Sequence, residues 1–233
     1  YGVAVIEDAA HAFPAKTADG YGGTFGDAGV FSFYATKTIT TGEGGMVCTD
    51  DERIAERIRL MRSHGINRTI WDRYTDAKAS WKYDVTEAGW KCNLPDILSA
   101  VGRVQLKKAD GFFDRRKRIA EKYTKAFCKN PLFITPPDRD GNAWHLYILR
   151  LNLEALTADR DEFGTALQES GLGISMHFIP HFEMTYIKNR YGLSSRDFPE
   201  SAAKYAQSIS LPFYPSMSEG DTDYVIETVI KTG

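Results

Sequence analysis

Short apolar runs separated by glycine-rich turns open the chain, and this pattern predicts strands of a single sheet. The runs cover residues 1–6, 28–33 and 45–49, with a polar, glycine-rich loop between the first two. The first run is β-branched and has no polar residues before it. We therefore expect the numbered chain to begin inside a domain.

Apolar residues at helical spacing then predict two helices. Asp50 or Asp51 is expected to cap the first, which should end near Gly65. The second is predicted to be long, running from Asn93 to about residue 128 with a kink at Gly111. Between the helices, residues 66–83 follow no clean period, which indicates a long surface loop.

The second half of the chain has the pattern of a smaller α/β domain. Residues 130–141 contain three prolines and are predicted to be the boundary, so that the domains cover residues 1–128 and 129–233. Strands are predicted over 144–151 and 174–178, and helices over 159–169, 200–207 and 219–231. The fold class is therefore predicted to be α/β.

Composition excludes several classes of protein. The 233 residues are 42% hydrophobic and 26% charged, with a formal charge of -2, which is typical of a globular protein. The interspersed charges give no basic surface for nucleic acid or an anionic membrane. The sequence also lacks a stretch of about 18 apolar residues that could cross a membrane.

The three cysteines do not have the pattern of a metal or redox site. Cys48, Cys92 and Cys128 are far apart and lack the paired spacing of a zinc or redox site. We expect them to be reduced, mostly buried thiols in a cytoplasmic protein without a bound metal.

Candidate chemistry lies where two predicted strands end. Asp8 follows the first apolar run, and Lys37 follows the second, just before the turn at residues 42–45. Ligands of open α/β sheets bind at the carboxyl ends of strands. If the two strands are close, a carboxylate and an amine face a common crevice. Taken alone, each residue is more often a turn residue or a solvated charge.

The segments in this order resemble the DegT/StrS-type sugar aminotransferases, which are fold type I enzymes that depend on pyridoxal 5'-phosphate (PLP). Residues 7–12 read E-D-A-A-H-A, residues 32–37 read S-F-Y-A-T-K, and residues 42–45 read G-E-G-G. Supporting matches are R-S-H-G at 62–65, K-C-N-L-P-D at 91–96, W-H-L at 144–146 and H-F-I-P at 177–180. The resemblance implies a large mixed-sheet PLP domain, followed by a smaller C-terminal α/β domain.

The resemblance implies a role for each matching residue. Lys37 would form the Schiff base with the cofactor and then carry a proton as acid and base. Asp8 would hold the pyridine nitrogen protonated, so that the ring accepts electrons. His11 would lie beside the ring, Ser32 would bind the phosphate, and Asn93 would reach the phosphate of a partner subunit. These roles imply a homodimer.

Three of these residues have ordinary alternatives. His11 could be a core histidine with a backbone partner, and Ser32 could bond to the backbone of its own turn. Asn93 could cap the long helix, and both of its roles could hold.

Further residues were weighed as substrate or metal contacts. His177 and His181 have a spacing that suits a metal, but Pro180 between them disfavours that geometry. A substrate contact by His177, or a structural role, is favoured instead. Aromatic and basic side chains in and after the long loop could contact a sugar or a pyrophosphate, or could be interface residues and solvated charges. They are Arg68, Trp71, Arg73, Trp81, Lys82 and Trp90.

The resemblance implies transfer of an amino group from an amino acid, glutamate, to a keto-sugar linked to a nucleotide, as in polysaccharide biosynthesis. Two alternatives stay open: a PLP-dependent sugar dehydratase, which Lys37 disfavours because such enzymes carry histidine there, and a non-catalytic regulatory protein of the same fold. Family members also have an N-terminal segment with phosphate-binding and ring-covering residues, which does not occur before Asp8. We therefore expect this chain alone to be inactive.

Overall fold

The computed structural model describes residues 1–67, 83–137, 139 and 141–233. Two compact units are present, one formed by residues 1–110 and 140–143, the other by residues 111–139 and 144–233. A long helix contributes its first half to one unit and its second half to the other. The sequence assigned that whole helix to the first domain, and the domain boundary at residues 128 and 129 stays a prediction.

A three-stranded sheet forms the centre of the first unit. Its strands are β1 (Ile6–Asp8), β4 (Ala28–Ser32) and β5 (Gly45–Cys48), in the order β1-β4-β5. β1 is parallel to β4, with Asp8 opposite Val30, and β5 is antiparallel to β4. A short hairpin, β2 (Lys16–Thr17) and β3 (Gly20–Tyr21), lies within the segment that was predicted to be a polar, glycine-rich loop.

Helix α1 (Glu52–Met61) follows β5 and begins as its sequence predicts. Asp51 is the N-cap, because its side chain accepts a hydrogen bond from the backbone N–H of Arg53. Glu52 in the first turn and Arg59 in the last turn complement the helix dipole. None of the residues of α1 is buried.

Helix α2 (Asp96–Phe127) is the long predicted helix, and it runs through Gly111 without interruption. A side chain at Gly111 would meet nothing within 4 Å, so that position is open to solvent. The helix begins three residues later than predicted. Asn93 is therefore not its N-cap.

The second unit combines a small antiparallel sheet with four further helices. Its strands are β6 (Phe133–Ile134), β7 (Ile148–Leu151) and β8 (Ser208–Ser210), in the order β6-β7-β8. The helices are α3 (Arg160–Glu169), α4 (Thr185–Tyr191), α5 (Pro199–Gln207) and α6 (Glu219–Thr232). The core combines aliphatic and aromatic side chains, and Tyr123, Phe127 and Tyr147 are completely buried.

Strand ends in this unit differ from the prediction. Residues 174–178 form only an isolated bridge, in which the backbones of Ser175 and Ser210 exchange hydrogen bonds of 3.2 and 2.7 Å. Residues 144–147 also lie outside β7, and Trp144 has a left-handed backbone conformation (φ 48°). In the first unit, residues 1–5 lie outside β1, although the Val5 carbonyl accepts a hydrogen bond from the Asp27 N–H at 2.9 Å.

The prediction that the cysteines are mostly buried was wrong. Cys48, Cys92 and Cys128 are all exposed and unpaired. Cys48 lies on β5, at one edge of the described sheet, and Cys128 follows the end of α2. In the described part of the chain, no helix is long and apolar enough to cross a membrane.

A buried arginine fastens α2 within the second unit. The Arg116 guanidinium donates hydrogen bonds from Nη1 to the carbonyl oxygens of His145 (3.0 Å), Phe213 (3.1 Å) and Trp144 (3.4 Å). It also lies 5.3 Å from the centroid of the Phe213 ring. Burial lowers the pKa of Arg116 to about 10. The side chain thus stays charged near neutral pH and holds three carbonyl groups together.

Replacing Arg116 with methionine is expected to destabilise the protein by about 3 kcal/mol, because the carbonyl groups lose charge-assisted hydrogen bonds. Urea unfolding of the variant and of the unchanged protein would measure this difference. Arg118→Met, at an exposed position on the same helix, is the matched control and should change the free energy of unfolding by less than about 0.5 kcal/mol. Equal effects for the two variants would contradict the role given to Arg116.

Candidate active site

Two predicted site residues lie at the carboxyl ends of neighbouring strands. Asp8 ends β1 and Ser32 ends β4. Asp8 is opposite Val30, and side chains two apart on a strand point to the same face. Asp8, Val30 and Ser32 therefore share one face of the sheet, with the two polar groups at its carboxyl edge.

Lys37 lies in the loop that follows β4, and hydrogen bonds between backbone atoms close this loop. The Phe33 N–H donates to the Gly44 carbonyl at 2.8 Å, and the Phe33 carbonyl accepts from the Thr41 N–H at 2.9 Å. Within the loop, the Lys37 N–H donates to the Tyr34 carbonyl at 3.0 Å. These bonds fix both ends of the loop directly after β4, so the lysine is held near the edge of the sheet.

A hydroxyl group connects the lysine loop to the segment after Asp8. Thr38 Oγ1 donates a 2.8 Å hydrogen bond to the carbonyl oxygen of Phe13. Phe13 follows His11 by two residues, so this bond ties the two sequence motifs together. The sequence analysis assigned no role to Thr38, and its position next to the predicted lysine is the signal that could have found it.

The structure brings Asp8 and Lys37 close enough to interact electrostatically. The Lys37 side chain is half-buried, and the resulting desolvation lowers the pKa of its amine. The negative charge of Asp8 acts in the opposite direction and raises that pKa, but desolvation is the larger effect. A lysine with a lowered pKa is neutral more often, and is therefore a better nucleophile, than one in free solution.

Asp8→Asn is expected to lower the pKa of Lys37 further, since the substitution removes the charge that stabilises the ammonium form. The neutral amine would then be present at lower pH. Reductive methylation of the cofactor-free protein across a pH series, followed by peptide mass spectrometry, would show the labelling curve of Lys37 moving to lower pH. The curve of exposed Lys107 in the same samples provides the reference. A Lys37 curve that stays in place or moves to higher pH would contradict the interaction.

His11, Ser32 and Asn93 occupy different surroundings. Ser32 Oγ accepts a weak hydrogen bond from the Tyr34 N–H at 3.3 Å, which is the turn contact weighed as its alternative role. Asn93 is exposed, and Lys91 donates a hydrogen bond to its Oδ1 atom. His11 is exposed in the segment that follows β1. Their cofactor roles stay predictions.

His177 lies in the second unit and has a partner there. Its Nδ1 atom and Ser210 Oγ are 2.7 Å apart. His181 begins a short 3₁₀ helix and is exposed. Among the described residues, no group of three or more His, Cys, Asp or Glu side chains could hold a metal ion. Residues 68–82, in the predicted long loop, lie outside the described residues. The contacts considered there therefore stay predictions, namely those of Arg68, Trp71, Arg73, Trp81 and Lys82. Trp90 is described and is 68% exposed.

A cleft of about 930 Å³ in the first unit has Val30, Phe31, Gly44 and Gly45 among its lining residues. It is bordered by β5, by Ala55, Ile58 and Arg59 of α1, and by Arg62 directly after that helix. None of the predicted cofactor residues lines it. The volume of the cleft therefore does not identify the cofactor site, and the positions of Asp8 and Lys37 indicate it better.

Glu7 is a second residue whose role the sequence analysis missed. Its carboxylate accepts hydrogen bonds from three backbone N–H groups, those of Gly23 (2.7 Å), Phe25 (2.6 Å) and Gly26 (2.7 Å). The pKa of Glu7 is lowered, mainly by the hydrogen bond from the Gly26 N–H. Desolvation raises this pKa, and the N–H groups of Gly23 and Phe25 lower it further. The sequence signal for this role was the position of Glu7, an acidic residue directly before Asp8 in the E-D motif.

A family model described as the DegT/DnrJ/EryC1/StrS aminotransferase family matches residues 1–230. The chain belongs to this family. Spore coat polysaccharide biosynthesis protein SpsC of Bacillus subtilis is 44% identical over 232 residues, which are 98% of this chain and 59% of that protein. The uncharacterized protein MJ1066 of Methanocaldococcus jannaschii is also 44% identical, over 99% of this chain and 60% of its own length.

Solved structures of DegT/DnrJ/EryC1/StrS aminotransferases have the same fold. The putative sugar aminotransferase Spr1654 of Streptococcus pneumoniae, in its PMP form, matches 99% of this chain with a TM-score of 0.88 and 27% identity. PseC of Helicobacter pylori, an aminotransferase of pseudoaminic acid biosynthesis, matches 99% of the chain with a TM-score of 0.87 and 28% identity. Each match covers 59% of the solved chain. This family member thus has the predicted α/β architecture and spans about three-fifths of the length of these relatives.

Proposed function

We propose that the chain forms part of a PLP-dependent aminotransferase that transfers an amino group from glutamate to a keto-sugar linked to a nucleotide. The observation that carries this proposal is the placement of Asp8 at the carboxyl end of β1 and of Lys37 in the loop directly after β4, close enough for the carboxylate to raise the pKa of the amine. Structures of Spr1654 in PLP and PMP forms support the choice of cofactor.

The residues at this edge fit PLP chemically. The Lys37 amine would bind the cofactor aldehyde and hold or release a proton at Nζ, and Asp8 would keep the pyridine nitrogen protonated. The Ser32 hydroxyl, on the same face of the sheet as Asp8, would bind the phosphate, and His11 would help to orient the ring. When bound, PLP supplies the electron sink for negative charge at the substrate carbon.

Relatives support a sugar substrate. SpsC is named for spore coat polysaccharide biosynthesis, and PseC is an aminotransferase involved in pseudoaminic acid biosynthesis. We propose a nucleotide-linked keto-sugar as acceptor and, from the family resemblance, His177 as a substrate contact. The three unpaired thiols suit a reducing compartment, so a cytoplasmic location is proposed as well.

We infer that transamination needs parts of the family fold beyond these 233 residues. The chain covers 59% of the length of SpsC and 59% of the Spr1654 structure. Apolar side chains in and directly before β1 are open to solvent, with Val3 74%, Val5 53% and Ile6 72% exposed. The activity therefore belongs to a polypeptide of the relatives' length, and turnover by the 233-residue chain alone would contradict this inference.

A homodimer is proposed in which Asn93 reaches the cofactor phosphate of the partner subunit. An apolar stripe begins on α2 just after Asn93: Ile97, Val101 and Val104 are 79%, 43% and 51% exposed, at positions i, i+4 and i+7 of the helix. Such a stripe on a helix surface is typical of a protein interface.

Ile97→Asp in the family-length protein is expected to raise the dimer dissociation constant by about 100-fold or more, because the carboxylate would be buried without a partner. Analytical ultracentrifugation over a range of protein concentrations would measure the constant. Arg103→Asp, at an exposed position on a different face of α2, is the control and should leave it nearly unchanged. A dimer of equal strength in the Ile97→Asp variant would rule out this stripe as the interface.

Borohydride reduction of the PLP-loaded protein, followed by peptide mass spectrometry, tests the proposed function directly. A phosphopyridoxyl group on the peptide that contains Lys37 is the expected result, and a screen of keto-sugar nucleotides would then identify the acceptor. An unmodified Lys37 in folded, dimeric protein would contradict the enzymatic proposal and favour a non-catalytic role for the fold.

A further inference from the structure

Glu7 and Asp8 are consecutive residues of β1, so their side chains point to opposite faces of the sheet. Asp8 faces the side on which Ser32 lies. Glu7 faces the reverse side, where its carboxylate accepts the three N–H groups of the loop over residues 23–26. We call this segment the reverse loop.

The reverse loop packs directly on the backbone of the sheet. A Cβ atom on Gly29 would lie 1.9 Å from the carbonyl oxygen of Gly23, so only glycine permits this approach. A Cβ atom on Gly23, which has φ 92°, would lie 2.4 Å from the Phe31 ring and 2.8 Å from the Ala9 side chain. Ala9 directly follows Asp8, and Phe31 directly precedes Ser32.

We propose that Glu7 is a positioning residue for Asp8, holding the carboxyl end of β1 rigid through its three hydrogen bonds to the reverse loop. This inference rests on the proposed function, because it gives Glu7 its effect through the contact between Asp8 and PLP. On β4, Gly29 is opposite Glu7. The Ala9 N–H donates a hydrogen bond to the carbonyl oxygen of Val30 at 2.9 Å. The reverse loop thus contacts the same short stretch of backbone that directs the Asp8 side chain.

The chemistry of the three bonds requires a carboxylate. All three partners of Glu7 are N–H donors, and its two oxygens accept from them, Oε2 from Gly23 and Oε1 from Phe25 and Gly26. Glutamine has nearly the same shape but only one acceptor oxygen, and its amide would place N–H groups against an N–H donor. Glu7→Gln therefore loses at least one of the three hydrogen bonds and weakens the restraint, while leaving the volume of the side chain almost unchanged.

The test is a double-mutant cycle of Glu7→Gln and Asp8→Asn in the family-length protein, with the dissociation constant of PLP as the readout. Glu7→Gln alone is expected to weaken PLP binding about tenfold, an effect typical of residues that orient a ligand-binding side chain. It should also change the pH dependence of the visible absorption of the bound cofactor. Glu56→Gln, at an exposed position on α1, is the matched control and should change neither quantity.

The cycle separates positioning from general support of the fold. If Glu7 acts through Asp8, Glu7→Gln weakens PLP binding by less than about twofold once Asp8 is asparagine. A full tenfold loss in that background would overturn the inference and leave the proposed function intact. If Asp8→Asn alone leaves PLP affinity unchanged, the proposed role of Asp8 fails, and with it the positioning role of Glu7.

Glu7→Asp keeps the test decisive if Glu7→Gln does not fold. Aspartate retains the charge but is shorter by one methylene group, so it can accept only part of the hydrogen bonds. We expect a loss of PLP affinity smaller than tenfold that disappears in the Asp8→Asn background. Circular dichroism establishes which variant is folded, and an undiminished effect of Glu7→Asp in that background would again reject the proposal.

Discussion

Lys37→Ala is expected to abolish covalent capture of PLP and to lower the rate of transamination by up to about 10⁴-fold, the upper range for loss of a general acid and base. The substitution removes the amine that lies within electrostatic reach of Asp8. It leaves the hydrogen bonds that close the loop, because these are made by backbone atoms. The cofactor could still bind without a covalent bond, so the loss should appear in turnover more than in the fold.

Single-turnover kinetics and borohydride labelling of the family-length variant would measure the two losses. Lys107→Ala, which removes an exposed lysine of α2, is the control and should retain both labelling and turnover. Circular dichroism would establish that Lys37→Ala is folded. Labelling that persists on another lysine of the variant, with turnover within tenfold of the original, would show that Lys37 is not the anchor.

Asp8→Asn is the second substitution with a large expected effect, a fall in kcat of about 10²–10³-fold. Asparagine preserves the shape of the side chain and can still accept the hydrogen bond from Ala10, which Asp8 Oδ1 accepts at 3.1 Å. It lacks the negative charge that would keep the pyridine nitrogen protonated, so the ring would accept electrons less readily. The loss should fall on kcat more than on the KM of the amino donor.

Steady-state kinetics with glutamate, and with the keto-sugar that the screen identifies, would measure that division between kcat and KM. Asp110→Asn makes the same chemical change at an exposed position of α2 and is expected to leave both constants unchanged. Equal kcat values for the Asp8→Asn variant and the original protein would remove Asp8 from the proposed mechanism. The Lys37 labelling experiment would still report whether the two residues interact.

Local signals explain which elements were predicted well. Asp51 caps α1 through a hydrogen bond to a residue two positions away, and α3 begins with a capping box between Asp159 and Glu162. Such bonds depend on a few neighbouring residues and are visible in sequence. The long apolar pattern of α2 likewise predicted a single helix, and the structure confirms it.

Strand limits and burial were predicted less well, because both depend on partners that are distant along the chain. The apolar residues 174–178 look like a strand, yet only Ser175 pairs, with Ser210. Cys48 occupies an apolar strand but is exposed, and it lines the cleft beside β5. The hairpin at residues 16–21 was missed, since its strands of two residues each are too short to show a period.

The ordered motifs of the sequence were sufficient to identify the family and to name candidate residues for its chemistry. Asp8, His11, Ser32 and Lys37 stand in ordered motifs, and the family model matches residues 1–230. Tertiary structure alone decided that Asp8 and Lys37 interact, and that desolvation lowers the pKa of the lysine. It also decided that Glu7 holds the reverse loop. The physical reason is that electrostatics, desolvation and long-range hydrogen bonds depend on distances between segments, which are set only when the chain folds.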